Sequence, residues 1–377
     1  MIGIRNQVLF TLVVAAAAAV ATSGFVGFAP NRLVSGKPIA LWEAVGGHFT
    51  AGIALIGAML LVACLVRPSR LLLYSEGGMA AALLLLVLAA AGQAASALAA
   101  GGRPGARISL GAAFWVLAAC AVLAAVDALQ RFGAGPAVRV LAVATIGAGV
   151  LWLAAAGTFD ALSIAREYAT RRQLFAAAVL RHMALVAWSV GPAIAIGFPL
   201  GVAAVRNPRS QGALFAILNL LQTIPSIALF GLLIVPLAAL GVGGIGVAPA
   251  IVALVLYALL PVVRNTVAGL SGVDAAVIEA ARGMGLTAGQ IFRQIELPLA
   301  LPVFLAGLRI VLVQAIGLAV VAALIGAGGL GTFVFEGLGQ YAVDLVLLGA
   351  LPAILLSLAA DFLLQTLSAV LRRHPAA

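Results

Sequence analysis

Residues 78–97 read GMAAALLLLVLAAAGQAASA, with Gln93 and Ser96 the only polar side chains and no charge among them. A helix needs about 20 apolar residues to cross a hydrocarbon core of about 30 Å, and this run supplies them. It does not alternate between apolar and polar, so it does not read as a barrel strand. The same texture recurs on both sides. Runs at 8–29, 49–66, 110–126 and 138–158 accompany it in the first half, and runs at 182–205, 212–240, 246–263, 302–327 and 343–370 make up the second. The spacing predicts about ten transmembrane helices.

Composition agrees. Hydrophobic residues are 64% of the 377 and charged residues 8%, with a mean hydropathy of +1.23, whereas soluble domains carry roughly 25% charged residues. In lipid only helices and closed barrels satisfy every backbone polar group. The expected fold class is therefore all-α, a polytopic membrane protein.

The formal charge of +10 would suggest nucleic acid in a soluble chain. Here the arginines fall singly between apolar runs, with no basic stripe, which excludes that class. Cys64 and Cys120 both sit inside apolar runs, and His48, His182 and His374 are far apart. No disulfide framework or metal site is expected. The carboxylates make no pair in a common pocket, so no catalytic constellation is read. With the N-terminus inside, twelve arginines from Arg5 to Arg373 fall on the cytoplasmic side. Opposite them stand Arg32, Lys37, Arg103 and Arg107, together with the four arginines of 160–181. This bias and an even span number place both termini in the cytoplasm. Ala19-Val20-Ala21 after the first apolar run has the form of a signal-peptidase site, and cleavage there would leave the downstream topology unchanged.

Three segments follow: an N-terminal bundle of about five spans at 1–159, an amphipathic connecting segment at 160–181, and a second bundle at 182–371. A polar interval, 265–301, interrupts that second bundle. Asp274 is placed to cap a helix over 275–282, Gly283 and Gly285 to break it, and Thr287 to cap a second helix over 288–295 that ends before Pro298. Small residues at Ala275, Ala276, Ala280 and Ala281 permit close approach by another surface. Taken alone, the interval is a docking element.

Glu279-Ala280-Ala281, three residues, Gly285, nine residues, then Ile295-x-Leu297-Pro298 resembles the cytoplasmic loop signature of ABC importer permeases. Gln222-Thr223-Ile224-Pro225-Ser226 and Tyr257–Thr266 are similar to helices of osmoprotectant permeases, as is Ile325–Gly331 to the loop after their penultimate helix. The likeness covers about 178–370, a type I permease core of five helices. The first five spans depart from the short osmoprotectant permeases and look like the extension of a longer subgroup. The resemblance implies that Glu279, Ala280, Ala281, Gly285, Ile295, Leu297 and Pro298 form a coupling loop seated in a separate ABC ATPase subunit. It further implies an extracytoplasmic substrate-binding protein, a second permease copy or paralogue, the inner membrane as location, and glycine betaine or a related quaternary-ammonium solute as cargo. An amino acid such as methionine is the nearer alternative. This chain lacks a phosphate-binding Gly-x-x-x-x-Gly-Lys loop, and its one lysine, Lys37, precedes proline. ATP is therefore expected on the partner, with no cofactor on this chain. An ion-coupled secondary transporter is the rival from another class. It would need repeats and intramembrane carboxylates, and only Asp361 lies well inside a span.

Polar residues within spans are the remaining signal. Asn219, Gln222, Thr223 and Ser226 stand at i, i+3, i+4 and i+7, which on one helix is one face. Together with Tyr257 and Gln314 they are the candidate pathway. Arg309 reads as snorkelling toward the interface, and Asp361 as paired with an arginine. Pro225, Pro236 and Pro261 are expected to break or bend helices beside them. The topology is directly testable: a reporter fused after Arg172 is expected to read extracytoplasmic and one after Arg282 cytoplasmic, and reversal of either breaks the arrangement.

Overall fold

Asn6 starts the first helix by folding its own side chain back: its Oδ1 accepts from the Leu9 amide at 3.0 Å, and its Nδ2 donates to Asp127 at 2.9 Å. The capped helix is α1 (Gln7–Thr22). The computed structural model describes residues 4–31, 34, 36–101 and 105–373, with side chains through residue 369. Arg32, Arg103 and His374 lie outside the described residues, as do the side chains of Arg372 and Arg373. The chain forms two compact units, Met1–Thr170 and Arg171–Ala377.

In the first unit α1 leads into β1 (Val26–Ala29), β2 (Lys37–Ile39), the short α2 (Leu41–Ala44) and α3 (Gly47–Ala63). Then follow α4 (Arg70–Ala100), β3 (Arg107–Leu110), α5 (Ala112–Arg131), α6 (Pro136–Ala155) and α7 (Ser163–Thr170). The three strands make one antiparallel sheet in the order β2-β1-β3, so the all-helical expectation needs that small addition. It also shortens the first expected span, 8–29: α1 ends at Thr22, and Val26–Ala29 belong to the sheet. The Phe25 amide donates to Ile39 O at 2.8 Å, and Phe25 and Val26 are fully buried. Backbone groups released by the helix end are thus satisfied by neighbouring strands. The long α4 packs on α5, and Ala90, Ala91, Ala94 and Ala95 of the one and Ala113, Ala121 and Ala124 of the other are all buried. Small side chains let the helices approach closely, which is how apolar helices associate where lipid offers no hydrophobic drive.

The expected connecting segment 160–181 does not form one piece. Its first part, α7, packs on β3: Arg107 reaches Glu167 at 2.6 Å, Ser163 Oγ accepts from the Ile108 amide at 2.6 Å, and Arg166 donates to Ala106 O at 3.2 Å. The remainder from Arg172 is the first stretch of a long helix of the second unit. A paired charge beside a strand had more to gain there than on a free amphipathic helix.

That second unit begins with α8 (Arg172–Arg206), 35 residues and about 52 Å long at the usual helical rise. It continues through α9 (Pro208–Thr223), α10 (Ser226–Ala239), α11 (Val247–Ser271), α12 (Ala275–Gly283) and α13 (Ala288–Ile291). A π-turn at Phe292–Glu296 leads into α14 (Leu297–Val321) and a 3-10 turn at Ala322–Ile325, followed by α15 (Gly331–Gly339) and α16 (Val343–Arg373). Its core gathers around Ala253, Leu254 and Val262 of α11, Leu185 and Ala193 of α8, and Val311 and Ala319 of α14.

Among the described residues seven helices are long and apolar enough to cross a membrane, or eight with the bent pair α9–α10. α1 and α3, at 16 and 17 residues, are apolar but shorter. Each of the ten expected runs thus coincides with a helix or helix pair, but not every one has the length of a full span.

At Gly269 of α11 an added Cβ would lie 3.0 Å from the Ala300 carbonyl oxygen and 3.2 Å from the Ala300 side chain of α14. Gly269→Leu should force α11 and α14 apart and lower stability by about 1–3 kcal/mol, seen as a depressed melting temperature of the detergent-solubilised protein.

Candidate functional site

Residues 272–301 carry their own local signals. Asp274 caps α12, its Oδ1 accepting from the Ala276 amide at 2.9 Å. The helix closes at Gly285, whose φ of +83° suits glycine, because a Cβ there would crowd the following carbonyl. The Gly285 amide donates back to Arg282 O at 2.9 Å and that of Leu286 to Ala281 O at 3.2 Å, pairing carbonyls the helix end leaves open. Thr287 then opens α13 with a capping box: its amide donates to Gln290 Oε1 at 2.8 Å and its hydroxyl accepts from the Gln290 amide at 3.4 Å.

The expected second helix, 288–295, was to end before Pro298. Instead the helix runs on from Ala288 to Ile325. A π-turn at 292–296 absorbs the proline: the Leu297 amide bonds to Phe292 O, five residues back, and Pro298 sits in the first turn of α14, where its missing N–H costs little. The signature residues therefore divide. Glu279, Ala280 and Gly285 are exposed, while Ala281 is fully buried and anchors α12. Ile295 and Leu297 are half-buried in the π-turn and the helix start, with Pro298 exposed. Val277 and Met284, the latter 72% exposed, add exposed apolar surface to the loop, as a partner-binding surface would.

Glu296 lies in the polar interval 265–301 and carries no signal of its own in the sequence. Its side chain is 8% exposed and ion-paired with Arg206 at the end of α8. No sequence signal links two residues ninety apart; only the crossing of α8 with the π-turn does.

The polar stripe is corrected more sharply. Asn219, Gln222 and Thr223 belong to α9, but Ser226 opens α10 after a bend of 102° at Ile224-Pro225. The four do not share a helix face. Pro225 breaks its helix as expected, whereas Pro236 and Pro261 lie inside α10 and α11. Pro261 has no N–H to give the carbonyl four residues earlier, that of Tyr257. Gln222 supplies the missing donor, its Nε2 reaching Tyr257 O at 2.6 Å. The Tyr257 hydroxyl in turn donates to Ile224 O, a carbonyl released by the helix break. Two prolines open two backbone acceptors, and one reciprocal pair of side chains closes both. Tyr257, 6% exposed, and Gln222 are thus bound into the α9–α11 contact. Thr223 donates to Leu220 O at 2.7 Å, and Asn219 accepts from Arg264 at 3.2 Å. Gln314, half-buried on α14, has no hydrogen-bond partner among the described residues; it remains the pathway candidate with its amide unused. Arg309 does not snorkel alone: its Nε donates to Asp361 at 2.6 Å, and Gln365 reaches the same carboxylate at 2.6 Å. This is the partner expected for Asp361. Among the described residues no group of three or more His, Cys, Asp or Glu is arranged to hold a metal ion.

Residues 193–373 match the family model for the binding-protein-dependent transport system inner membrane component. Residues 4–165 match the model for the N-terminal domain of the ABC transporter permease YehY. An osmoprotectant import permease protein, OsmW of Salmonella typhimurium, is 46% identical over 52% of this chain and 91% of its own length. The carnitine transport permease protein OpuCB of Listeria monocytogenes is 41% identical over 50% of this chain and 83% of its own. The glycine betaine/carnitine/choline permease protein OpuCB of Bacillus subtilis is 39% identical over 48% and 81%. A solved structure of the MetNI methionine ABC transporter in an inward-facing conformation aligns with 27% identity and a TM-score of 0.47, over 52% of this chain and 97% of that one.

The clamp at the bend gives a quantitative expectation. Tyr257→Phe leaves the Ile224 carbonyl unpaired and Gln222→Leu does the same to Tyr257, each costing about 1–3 kcal/mol. The double variant should cost less than the sum of the two, and strict additivity in thermal unfolding would refute the reciprocal pair.

Proposed function

Because this chain belongs to the family of binding-protein-dependent transport system inner membrane components, we propose that it is the permease of an ATP-driven importer for glycine betaine or a related quaternary-ammonium osmoprotectant. The relatives named above for osmoprotectant, carnitine and choline transport support the cargo class. The observation that carries the coupling role is the geometry of residues 272–301. Two capped helices meet at Gly285, and Glu279, Ala280 and Met284 are exposed, their side chains making no hydrogen bond or ion pair among the described residues. A cleft on a separate ATPase subunit would receive α12, and ATP would bind there. Closure of the ATPase dimer would push the loop, and the continuous helix from Ala288 to Ile325 would carry the push across the membrane as a rigid body. A second permease copy or a paralogue would complete the pathway, with Gln314 facing it. An extracytoplasmic binding protein would deliver the solute. The protein would sit in the inner membrane with both termini in the cytoplasm.

Two substitutions test the coupling role. An added Cβ at Gly285 meets nothing within 4 Å, so Gly285→Val acts through backbone strain alone, about 1–2 kcal/mol in the left-handed region. It should abolish uptake of labelled glycine betaine while membrane insertion persists, and Gly285→Asn, which tolerates that region, should retain more. Glu279→Lys should lose co-purification of the ATPase. Wild-type ATPase yield and full uptake in both Gly285→Val and Glu279→Lys would refute the assignment.

A further inference from the structure

The loop carrying α12 and α13 is joined to the helix bundle by one ion pair among the described residues, Arg206 with Glu296. Arg206 is the last residue of α8, and Glu296 the last of the π-turn that feeds α14. The arginine does more than neutralise the carboxylate. Its Cζ stands 6.0 Å from the Phe292 ring centroid while Nη2 donates to Glu296 Oε2. One planar guanidinium therefore grips the first and last residues of the π-turn. A lysine has neither the fork nor the flat face for this.

The position matters because of what a π-turn is. It is an over-wide helical turn with one extra residue, a local irregularity in an otherwise regular rod. Between the loop and α14 it is the place where a push on α12 is most easily lost as bending. Glu296 is buried, so its charge is held to Arg206 by the cost of leaving it unpaired. Arg206 is half-exposed at the helix end, and that end is followed directly by Asn207 and Pro208, which begin α9. Displacement of the π-turn is thus delivered to the junction of α8 and α9 as well as to α14.

We infer that Arg206 and Glu296 form a strut that stiffens the π-turn and makes α8 and α14 move together when the loop is pushed. They are positioning residues. The inference rests on the loop being the ATPase-docking element. With the strut removed, the outward face of α12 is untouched, so the ATPase still binds and hydrolyses ATP, but the stroke is absorbed at 292–296 and little solute crosses.

The test uses the permease with its ATPase and binding protein in proteoliposomes, reading labelled glycine betaine transported per ATP hydrolysed. Arg206→Gln and Glu296→Gln should each lower that ratio about tenfold, the middle of the range for contacting pairs, with ATPase co-purification unchanged. Arg206→Lys should be intermediate. Arg206→Glu combined with Glu296→Arg should restore at least half of the ratio. Arg209→Gln, a nearby exposed cation outside the strut, should behave as wild type. In the permease alone, amide exchange across residues 293–297 should quicken about tenfold in Arg206→Gln and return in the charge-swapped variant. An unchanged ratio in either single variant overturns the strut. So does a swap that restores the melting temperature but not the ratio, or exchange that matches wild type throughout. Failure of any ATPase to co-purify with the wild-type protein would instead overturn the coupling role of the loop, and the exchange measurement would still decide the strut.

Discussion

Inside a bilayer no water replaces a lost backbone hydrogen bond, and that constraint shapes the second unit around its prolines. Each carbonyl buried there without a partner costs about 1–3 kcal/mol. Pro261 withdraws a donor from Tyr257 O, and the break at Pro225 releases Ile224 O. Gln222 and Tyr257 answer both with two bonds across one helix contact. The pair makes a 102° bend tolerable, and the bend places α9 and α10 where a straight helix could not go. These two polar side chains are a means by which an irregular backbone survives in an apolar medium.

The same logic operates at the loop. Pro298 would ordinarily end a helix, yet the chain continues through it because the π-turn re-routes the bonding, with Leu297 reaching back to Phe292. A continuous rod from the loop into the membrane is the result. The π-turn lies near its start, and Arg206 pairs there with Glu296. Glu296 and Arg309 illustrate how charge is admitted to such a fold. Each has an oppositely charged partner from another helix, Arg206 and Asp361 respectively, and Gln365 supplies a further donor to Asp361.

The first unit solves a different problem. Its helices are rich in alanine and pack by close approach, with few polar contacts among the spans. What organises one end of it is the three-stranded sheet with α7 against it, fastened by Arg107 and Glu167. A short sheet has edges that would be untenable in lipid, so it belongs beyond the hydrocarbon, its β1 and β2 coming after α1 has ended and before α3 begins.

Much was determined by the sequence alone. Apolar runs of bilayer length specify helices because no other open structure satisfies the backbone there. Asp274, Gly285 and Thr287 are local signals whose cap bonds and turn form within a few residues, so the turn between α12 and α13 is legible in the sequence, whereas the continuation of the helix through Pro298 is not. The tertiary structure decided whatever depends on two distant segments meeting. Ser226 leaves the stripe of Asn219, Gln222 and Thr223 because the bend at Pro225 is sustained by Tyr257 on another helix. Glu296 is buried because α8 ends beside it. The segment 160–181 divides because Arg107, far earlier in the chain, claims Glu167. Short-range hydrogen bonds are written in neighbouring residues, whereas the partner of a buried charge or an orphaned carbonyl is chosen only when helices cross.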